Sequence, residues 1–139
     1  MTRDEAQRLV QEYMKTLGQQ SPGLNENGYG GVAVGNAQLY FEYDSFVMAL
    51  ETSALIYKFN DEPKPGIIEG FEAEEKAGTD TGGGAVDFEP ENKSLFLSRQ
   101  YNTVPSTASF EADMKRLMAA SLKWGDEVLD RVASRVFKR

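Results

Sequence analysis

The spacing of the apolar residues changes twice along this chain, and this change limits the fold more than any other feature. Over residues 2–17 the apolar positions recur every three or four residues, which is the period of an amphipathic helix. From residue 29 to residue 59 they largely alternate with polar residues, as in a strand with one buried face. The helical period returns after residue 106 and extends nearly to Arg139. Strands framed by terminal helices predict an α+β fold, with helices packed on one face of an antiparallel sheet.

The first helical segment carries signals at both of its ends. Thr2 and Glu5 stand at the spacing of a capping box, in which each side chain binds a backbone N–H group of the first turn. Gly18 stands where a left-handed residue commonly ends a helix. The apolar stripe between them consists of Ala6, Leu9, Val10, Tyr13, Met14 and Leu17. We expect this stripe to pack on the core, or in part to border a groove for a partner.

The middle of the chain predicts five strands and a short helix. The strands are predicted at 29–34, 37–43, 46–59, 86–88 and 95–101, each bounded by turn residues. The short helix is predicted over residues 67–77. A long last helix begins near Ser106 or Thr107, either of which can cap it. We therefore expect one domain, 1–139, with a five-stranded antiparallel sheet and the element order α-β-β-β-α-β-β-α.

Composition and charge exclude several classes of function. Hydrophobic residues make up 40% of the chain, which is enough for a packed core. The formal net charge of −7 argues against nucleic acids and anionic membranes as partners, because their phosphates would be repelled. An acidic balance instead favours solubility or a basic polypeptide partner. We expect a cytoplasmic protein, since the chain opens with a charged helical pattern and no stretch is apolar enough for membrane insertion.

The chain has no cysteine and no histidine, which limits its catalytic chemistry further. Disulfides and thiol catalysis are excluded, and both the usual general base and the commonest metal ligand are missing. Glu72 and Glu75 share one face of the predicted middle helix, and such a carboxylate pair can serve acid–base chemistry or hold a hard cation. On a chain this acidic, the simpler interpretation is that both are solvated. We therefore expect no enzyme, with no catalytic residue, no metal and no cofactor.

Gly82-Gly83-Gly84, the glycine run, is the local signal that most resembles a phosphate-binding loop. Such loops need a Lys-Ser or Lys-Thr pair after the last glycine, at the start of a helix. Here Ala85-Val86-Asp87-Phe88 follows, which predicts a strand. The glycine run is therefore expected to be structural, at the entry to that strand, and nucleotide binding is not supported.

Several of the predicted elements also carry short sequence motifs. Thr81 and the glycine run lead into a strand, Pro90-Glu91 marks the next turn, and Leu95-x-Leu97 lies in the strand that follows. The last helix adds, at helical spacing, Phe110, Met114, Leu117 and Trp124. With these motifs and this element order, nearly the whole chain resembles the class I chaperones of bacterial type III secretion, the Tir chaperone (CesT) family. The motifs occupy structural positions, so they indicate the fold more directly than the function.

This resemblance implies a homodimer that binds the N-terminal region of a secreted effector polypeptide in an extended state and keeps it secretion-competent, without a cofactor. By analogy, the partner-binding surface would involve the first helix and the uncovered sheet face, with Tyr13, Tyr40 and Phe96 as candidate residues. Tyr40 and Phe96 alternate with the predicted core residues, which also suits an edge-covering or dimer-buried role. The candidate dimer-interface residues, all from the middle helix, are Ile67, Ile68 and Phe71.

The middle helix departs from the family pattern in one respect. Its family counterpart carries a Leu-Leu-x-x-Asn-like sequence, whereas Ile67-Ile68-Glu69-Gly70-Phe71 has a glycine near the asparagine position. The sequence therefore leaves the dimer geometry open. The alternative function is a fold-sharing adaptor or regulatory protein-binding module with a non-effector partner, because a shared fold does not fix function.

Overall fold

The computed structural model describes residues 1–137, and its helices and strands follow the predicted order. They are α1 (Arg3–Thr16), β1 (Tyr29–Val34), β2 (Ala37–Asp44), β3 (Ala49–Lys58), α2 (Ile67–Lys76), β4 (Ala85–Glu89), β5 (Ser94–Tyr101), α3 (Thr107–Lys123) and α4 (Leu129–Phe137). The predicted α+β class and the predicted middle helix are therefore confirmed. The last helix was also predicted to continue toward Arg139. The end of that prediction, residues 138 and 139, lies outside the described residues. Among residues 1–137, no helix has the length and apolar character needed to cross a bilayer.

The five strands form one antiparallel sheet in the order β1-β2-β3-β5-β4. Strand β5 pairs with β3 along most of its length, and β4 then pairs with the other side of β5. This order leaves β1 and β4 as the two edges. Successive residues of each strand point to opposite faces, so the register of the sheet decides which side chains share a face.

One face of the sheet, the inner face, carries the core. Its buried side chains include Leu39 and Phe41 of β2 and Leu95 and Leu97 of β5. Helices α1 and α3 pack on this face, and both contribute fully buried residues to the same cluster. Burial of this apolar surface stabilises the fold by about 25 cal/mol for each Å² removed from water.

The start of α1 confirms the predicted capping box. The Thr2 hydroxyl accepts a hydrogen bond from the Glu5 backbone N–H at 3.1 Å, and the Glu5 carboxylate accepts one from the Thr2 N–H at 2.8 Å. Hydrogen bonding to Thr2 lowers the pKa of Glu5. This reciprocal pair satisfies two donors that the first helical turn leaves unpaired.

The glycine run packs against α3, which accounts for its composition. Gly82 has a φ of +64°, and a Cβ atom there would lie 2.3 Å from the Arg116 carbonyl oxygen. A Cβ atom on Gly84 would lie 2.8 Å from Leu117. The indole N–H of Trp124 donates to the Asp80 carbonyl at 2.7 Å, so the segment before the glycine run is tied to the last helix. A side chain at Gly82 would collide with helix backbone, so only glycine fits there.

The third predicted strand begins later than the sequence indicates. The prediction of a strand over 46–59 is wrong at its start, because β3 begins at Ala49. The Asp44 side chain accepts a hydrogen bond from the Phe46 backbone N–H at 2.9 Å, which favours a turn. Met48 has a positive φ of 50°, and Phe46 is fully exposed. Residues 46–48 therefore form the tip of the β2–β3 hairpin.

The long last helix is interrupted by one wider π turn, Trp124–Val128, between α3 and α4. Gly125 lies in this turn, and a Cβ atom there would be 2.6 Å from the Ile56 carbonyl oxygen of β3. The missing side chain lets the helix backbone approach the sheet. Of the two predicted caps, Ser106 and Thr107, it is Ser106 that caps the start of α3. Its hydroxyl accepts a hydrogen bond from the Ser109 backbone N–H at 3.1 Å.

Candidate functional site

The face of the sheet opposite α1 and α3 is not covered by any helix in residues 1–137, and we call it the outer face. Along β2, β3, β5 and β4, it carries the side chains of Tyr40, Glu42, Glu51, Ser53, Leu55, Phe96, Ser98, Asp87 and Glu89. Most of these side chains are exposed or half-buried. The structure thus presents a wide sheet surface with a mixture of aromatic, aliphatic and acidic groups.

Tyr40 and Phe96, predicted from the sequence as partner-binding residues, meet on the outer face. Tyr40 pairs with Ser53 across β2 and β3, and Phe96 pairs with Leu55 across β5 and β3. Their ring centroids lie 5.8 Å apart at 85°, which is an edge-to-face contact. Phe96 is buried beneath its neighbours, whereas Tyr40 remains 42% exposed. The pair therefore offers an apolar base with one accessible aromatic ring.

The outer face is concave around this pair. The concavity encloses about 530 Å³, and its lining includes Tyr40, Leu55 and Phe96 together with Glu42, Glu51 and Glu89. The Tyr40 hydroxyl donates to the Gln38 side chain at 2.7 Å, which fixes the ring at one side of the concavity. An opening of this volume has the size of small ligand pockets, and its lining includes residues from all five strands.

Carboxylates surround the aromatic pair. Glu42 and Glu51 are directly opposite each other on β2 and β3. Burial raises the pKa of Glu51, and the negative charges of Asp87, Glu42, Glu89 and Asp44 raise it further. Lys58 is the one lysine or arginine among the residues that line the concavity. The outer face is therefore electrostatically negative as well as apolar.

Two serines and an aspartate form a polar chain between the strands of the outer face. The Ser53 and Ser98 hydroxyl oxygens lie 2.8 Å apart, and the Ser98 hydroxyl donates to the Asp87 carboxylate at 3.4 Å. A serine nucleophile needs a nearby base to accept its proton, most often histidine, and this sequence has none. The chain of hydroxyls is therefore a means of satisfying polar groups beside the aromatic pair.

Tyr13, the third predicted partner-binding residue, lies in the core, and the structure corrects that prediction. Its side chain is 1% exposed and packs edge-on against Phe41 and Phe110, with centroid distances of 6.0 and 5.4 Å. Burial, with a smaller contribution from Glu111, raises the pKa of Tyr13 to about 12. The apolar stripe of α1 thus packs on the core, and Tyr13 presents no surface to a partner.

The three predicted dimer-interface residues differ in how far they are buried. Ile67 and Phe71 are buried within their own chain, and Phe71 stacks on Trp124 at 6.1 Å. Their side chains are therefore covered by their own chain, and their part in a dimer interface stays a prediction. Ile68 packs against the core but remains partly exposed, so it is the one of the three that a second copy can reach.

Two acidic residues of α2, Glu74 and Glu75, have structural contacts that the sequence pattern did not predict. Glu72 is exposed, and Glu75 accepts the Val86 N–H at 3.3 Å, so the proposed pair does not converge on a site. Within residues 1–137, no group of three or more acidic residues is arranged to hold a metal ion. The buried acid is Glu74, which was not predicted. Its position at helical spacing from Ile67 and Phe71 is the signal that was available.

Glu74 joins α2 to α4. Its carboxylate accepts hydrogen bonds from Arg131 at 2.5 and 3.1 Å, from Thr79 at 2.8 Å, and from Arg135. Only 6% of Glu74 is exposed. The hydrogen bonds from Arg131, followed by those from Arg135 and Thr79, outweigh burial and lower the pKa of Glu74 to about 2. This ion-pair cluster belongs to the scaffold behind the sheet and leaves the outer face free.

The fold matches solved structures, although sequence comparisons alone find no relative. No protein-family model matches the chain, and no curated protein matches it. A chain in the crystal structure of the ExsC–ExsE complex superposes with a TM-score of 0.71 at 18% identity, covering 90% of this chain and 95% of that one. A chain in the HopA1–SchA chaperone–effector complex gives a TM-score of 0.62 at 15% identity, covering 92% and 95%. The chain therefore has the secretion-chaperone-like α+β fold that its sequence predicts.

Proposed function

We propose that this chain is a non-catalytic chaperone that binds the N-terminal region of a secreted effector polypeptide in an extended state and keeps it secretion-competent. The observation that carries the proposal is the uncovered outer face, with Tyr40 exposed above Phe96 in a concavity that crosses several strands. The similarity to a chain in a chaperone–effector complex supports the same assignment. We also propose, from the sequence resemblance, that the chain is related to the Tir chaperone (CesT) family.

An extended segment has two ways to bind this sheet. Its side chains can pack on the outer face, where the aromatic pair supplies apolar surface. Its backbone can pair with an edge strand, because β1 and β4 each have one side without a strand partner among residues 1–137. Binding of this kind needs no catalytic group and no cofactor, and the histidine-free sequence fits that requirement.

The binding proposal predicts that Tyr40→Ala weakens the capture of extended peptides by roughly tenfold, because the variant loses the accessible ring of the aromatic pair. The measurement uses immobilised peptides that cover the N-terminal regions of the proteins secreted by the same organism, with peptides from their C-terminal regions as the comparison. Tyr57→Ala is the matched control, since Tyr57 is 40% exposed but lies outside the concavity.

The chaperone proposal requires that N-terminal peptides bind and that only Tyr40→Ala weakens them. Equal loss with Tyr57→Ala would remove the outer face from the binding site. Selective capture of segments from proteins that are not secreted would favour the adaptor or regulatory alternative. No capture of any peptide would contradict the proposal.

The proposed assembly is a homodimer, for which α2 supplies one partly exposed apolar residue. Ile68→Glu is expected to shift the protein toward the monomer, because a charge at a packed apolar interface is costly to desolvate. Sedimentation equilibrium at micromolar concentration measures this shift, with Glu72→Gln on the exposed surface of α2 as the control. A parent protein that is monomeric under the same conditions would refute the dimer.

A further inference from the structure

The charges of the outer face are arranged in rows across the sheet. Glu42 and Glu51 form one row, and Tyr40, Ser53 and Ser98 form the next. The third row contains Leu55, Phe96 and Asp87, and the fourth contains Lys58, Ser94 and Glu89. Adjacent rows are two residues apart along each strand, or about 7 Å. The apolar groups therefore lie between the Glu42–Glu51 row and the carboxylates of Asp87 and Glu89 on β4, with Lys58 on β3 in the same row as Glu89.

From this arrangement we propose that the outer face is specific for an extended polypeptide segment in which cationic residues flank apolar ones. The proposal rests on the chaperone function proposed above and names the chemistry of the segment that binds. The acidic groups are on β2, β3 and β4, so carboxylates lie on both sides of the aromatic pair. Lys58 lies at the end near Glu89, and three carboxylates of the lining outnumber it.

Electrostatics within the free protein support this assignment. The ionised form of Glu51 is disfavoured by partial burial and by four neighbouring carboxylates, and its pKa is raised accordingly. A lysine or arginine above Glu42 and Glu51 would relieve that repulsion, whereas an acidic or neutral segment would not. In the free protein the carboxylates around Glu51 repel one another, and a cationic partner would reduce this repulsion.

The row spacing also predicts a sequence pattern. Alternate side chains of an extended chain point to the same side and are about 7 Å apart. A segment that crosses the strands obliquely, from β2 toward β4, can place a cation over the Glu42–Glu51 row and apolar residues over Tyr40 and over the Leu55–Phe96 row. A second cation then lies over Asp87 and Glu89. The pattern is cation-x-apolar-x-apolar-x-cation.

The probe for this proposal is the peptide Lys-Ser-Leu-Ser-Leu-Ser-Lys, added to isotope-labelled protein and followed by two-dimensional NMR, which detects and locates weak binding. One comparison peptide replaces both lysines with glutamate, and a second replaces both leucines with serine. We expect chemical-shift changes at the outer-face residues of β2, β3 and β5 with the first peptide, and much weaker changes with the other two. Raising the ionic strength from about 0.05 M to about 0.5 M is expected to weaken binding.

The matched protein variants separate this charge effect from folding. The double variant Glu42→Gln with Glu51→Gln is expected to bind the lysine peptide roughly fivefold more weakly. It should unfold at the same or a higher temperature, because the substitutions remove like-charge repulsion. The control variant, Glu62→Gln with Glu72→Gln, changes the net charge equally at exposed positions outside the concavity, and we expect its affinity to match the parent.

Each outcome decides between the two proposals. Equal binding of the lysine and glutamate peptides, or equal affinity of the two double variants, would overturn the charge specificity. If neutral or acidic N-terminal segments of secreted proteins bind in a Tyr40-dependent manner, the chaperone proposal stands without this inference. If neither the designed peptides nor the N-terminal segments bind the outer face, both proposals fail.

Discussion

Replacing Gly82 with alanine is expected to lower the free energy of unfolding by about 3 kcal/mol. The new methyl group would lie 2.3 Å from the Arg116 carbonyl oxygen, a backbone atom of α3 that cannot move without displacing the helix. The positive φ of +64° adds the cost of a left-handed conformation for a residue with a side chain. Urea-induced unfolding, followed by tryptophan fluorescence of the buried Trp124, measures the change.

Gly35→Ala is the matched control for this prediction. Gly35 has a nearly identical φ of +59°, yet its Cβ position has open space around it. We therefore expect this variant to lose only about 1 kcal/mol, the cost of the backbone conformation alone. Equal losses for the two variants would show that the contact between the glycine run and α3 does not contribute to stability.

Replacing Glu74 with glutamine is expected to lower the free energy of unfolding by about 2 kcal/mol near neutral pH. Glutamine keeps the shape of the side chain but removes the charge that holds Arg131 and Arg135 against α2. Both arginines are about half-exposed, so water partly compensates their loss of a partner. Chemical denaturation of the variant and the parent protein at the same pH provides the measurement.

The same cluster predicts how the difference depends on pH. The folded-state pKa of Glu74 is about 2, below the usual value of 4.5. Its charge therefore stabilises the folded protein above pH 4.5, and this contribution is lost as the pH falls from 4.5 toward 2. The free-energy difference between parent and Glu74→Gln should shrink over that interval. A constant difference would contradict the ion-pair account.

The order and type of the elements were accessible from the sequence, because they follow from local periodicity. The alternation in β2 and β5 also placed Tyr40 and Phe96 opposite the core, as the structure has them. Their contact was not accessible. The contact depends on β5 lying next to β3, between β3 and β4. Local spacing does not encode this order of strands in the sheet.

The predicted site residues that lie in the core share one physical cause. An apolar stripe shows that a helix face is covered, but it does not show what covers it. Tyr13 is covered by α3 through Phe110, and Phe71 is covered by Trp124, so both face their own chain. Glu74 was missed because its arginine partners come from α4, far along the sequence. Residues 46–48 have β-forming side chains, yet the Asp44 turn prevents them from joining β3.

The most direct test of the account is site-specific photo-crosslinking from the outer face inside the native host. The photoreactive amino acid p-benzoylphenylalanine replaces Tyr40 in one sample and Tyr57 in the other, and mass spectrometry identifies the crosslinked peptide. We expect a crosslink from position 40, and not from position 57, to the N-terminal region of a secreted protein. Crosslinks only from position 57, or only to the folded interior of its partners, would contradict it.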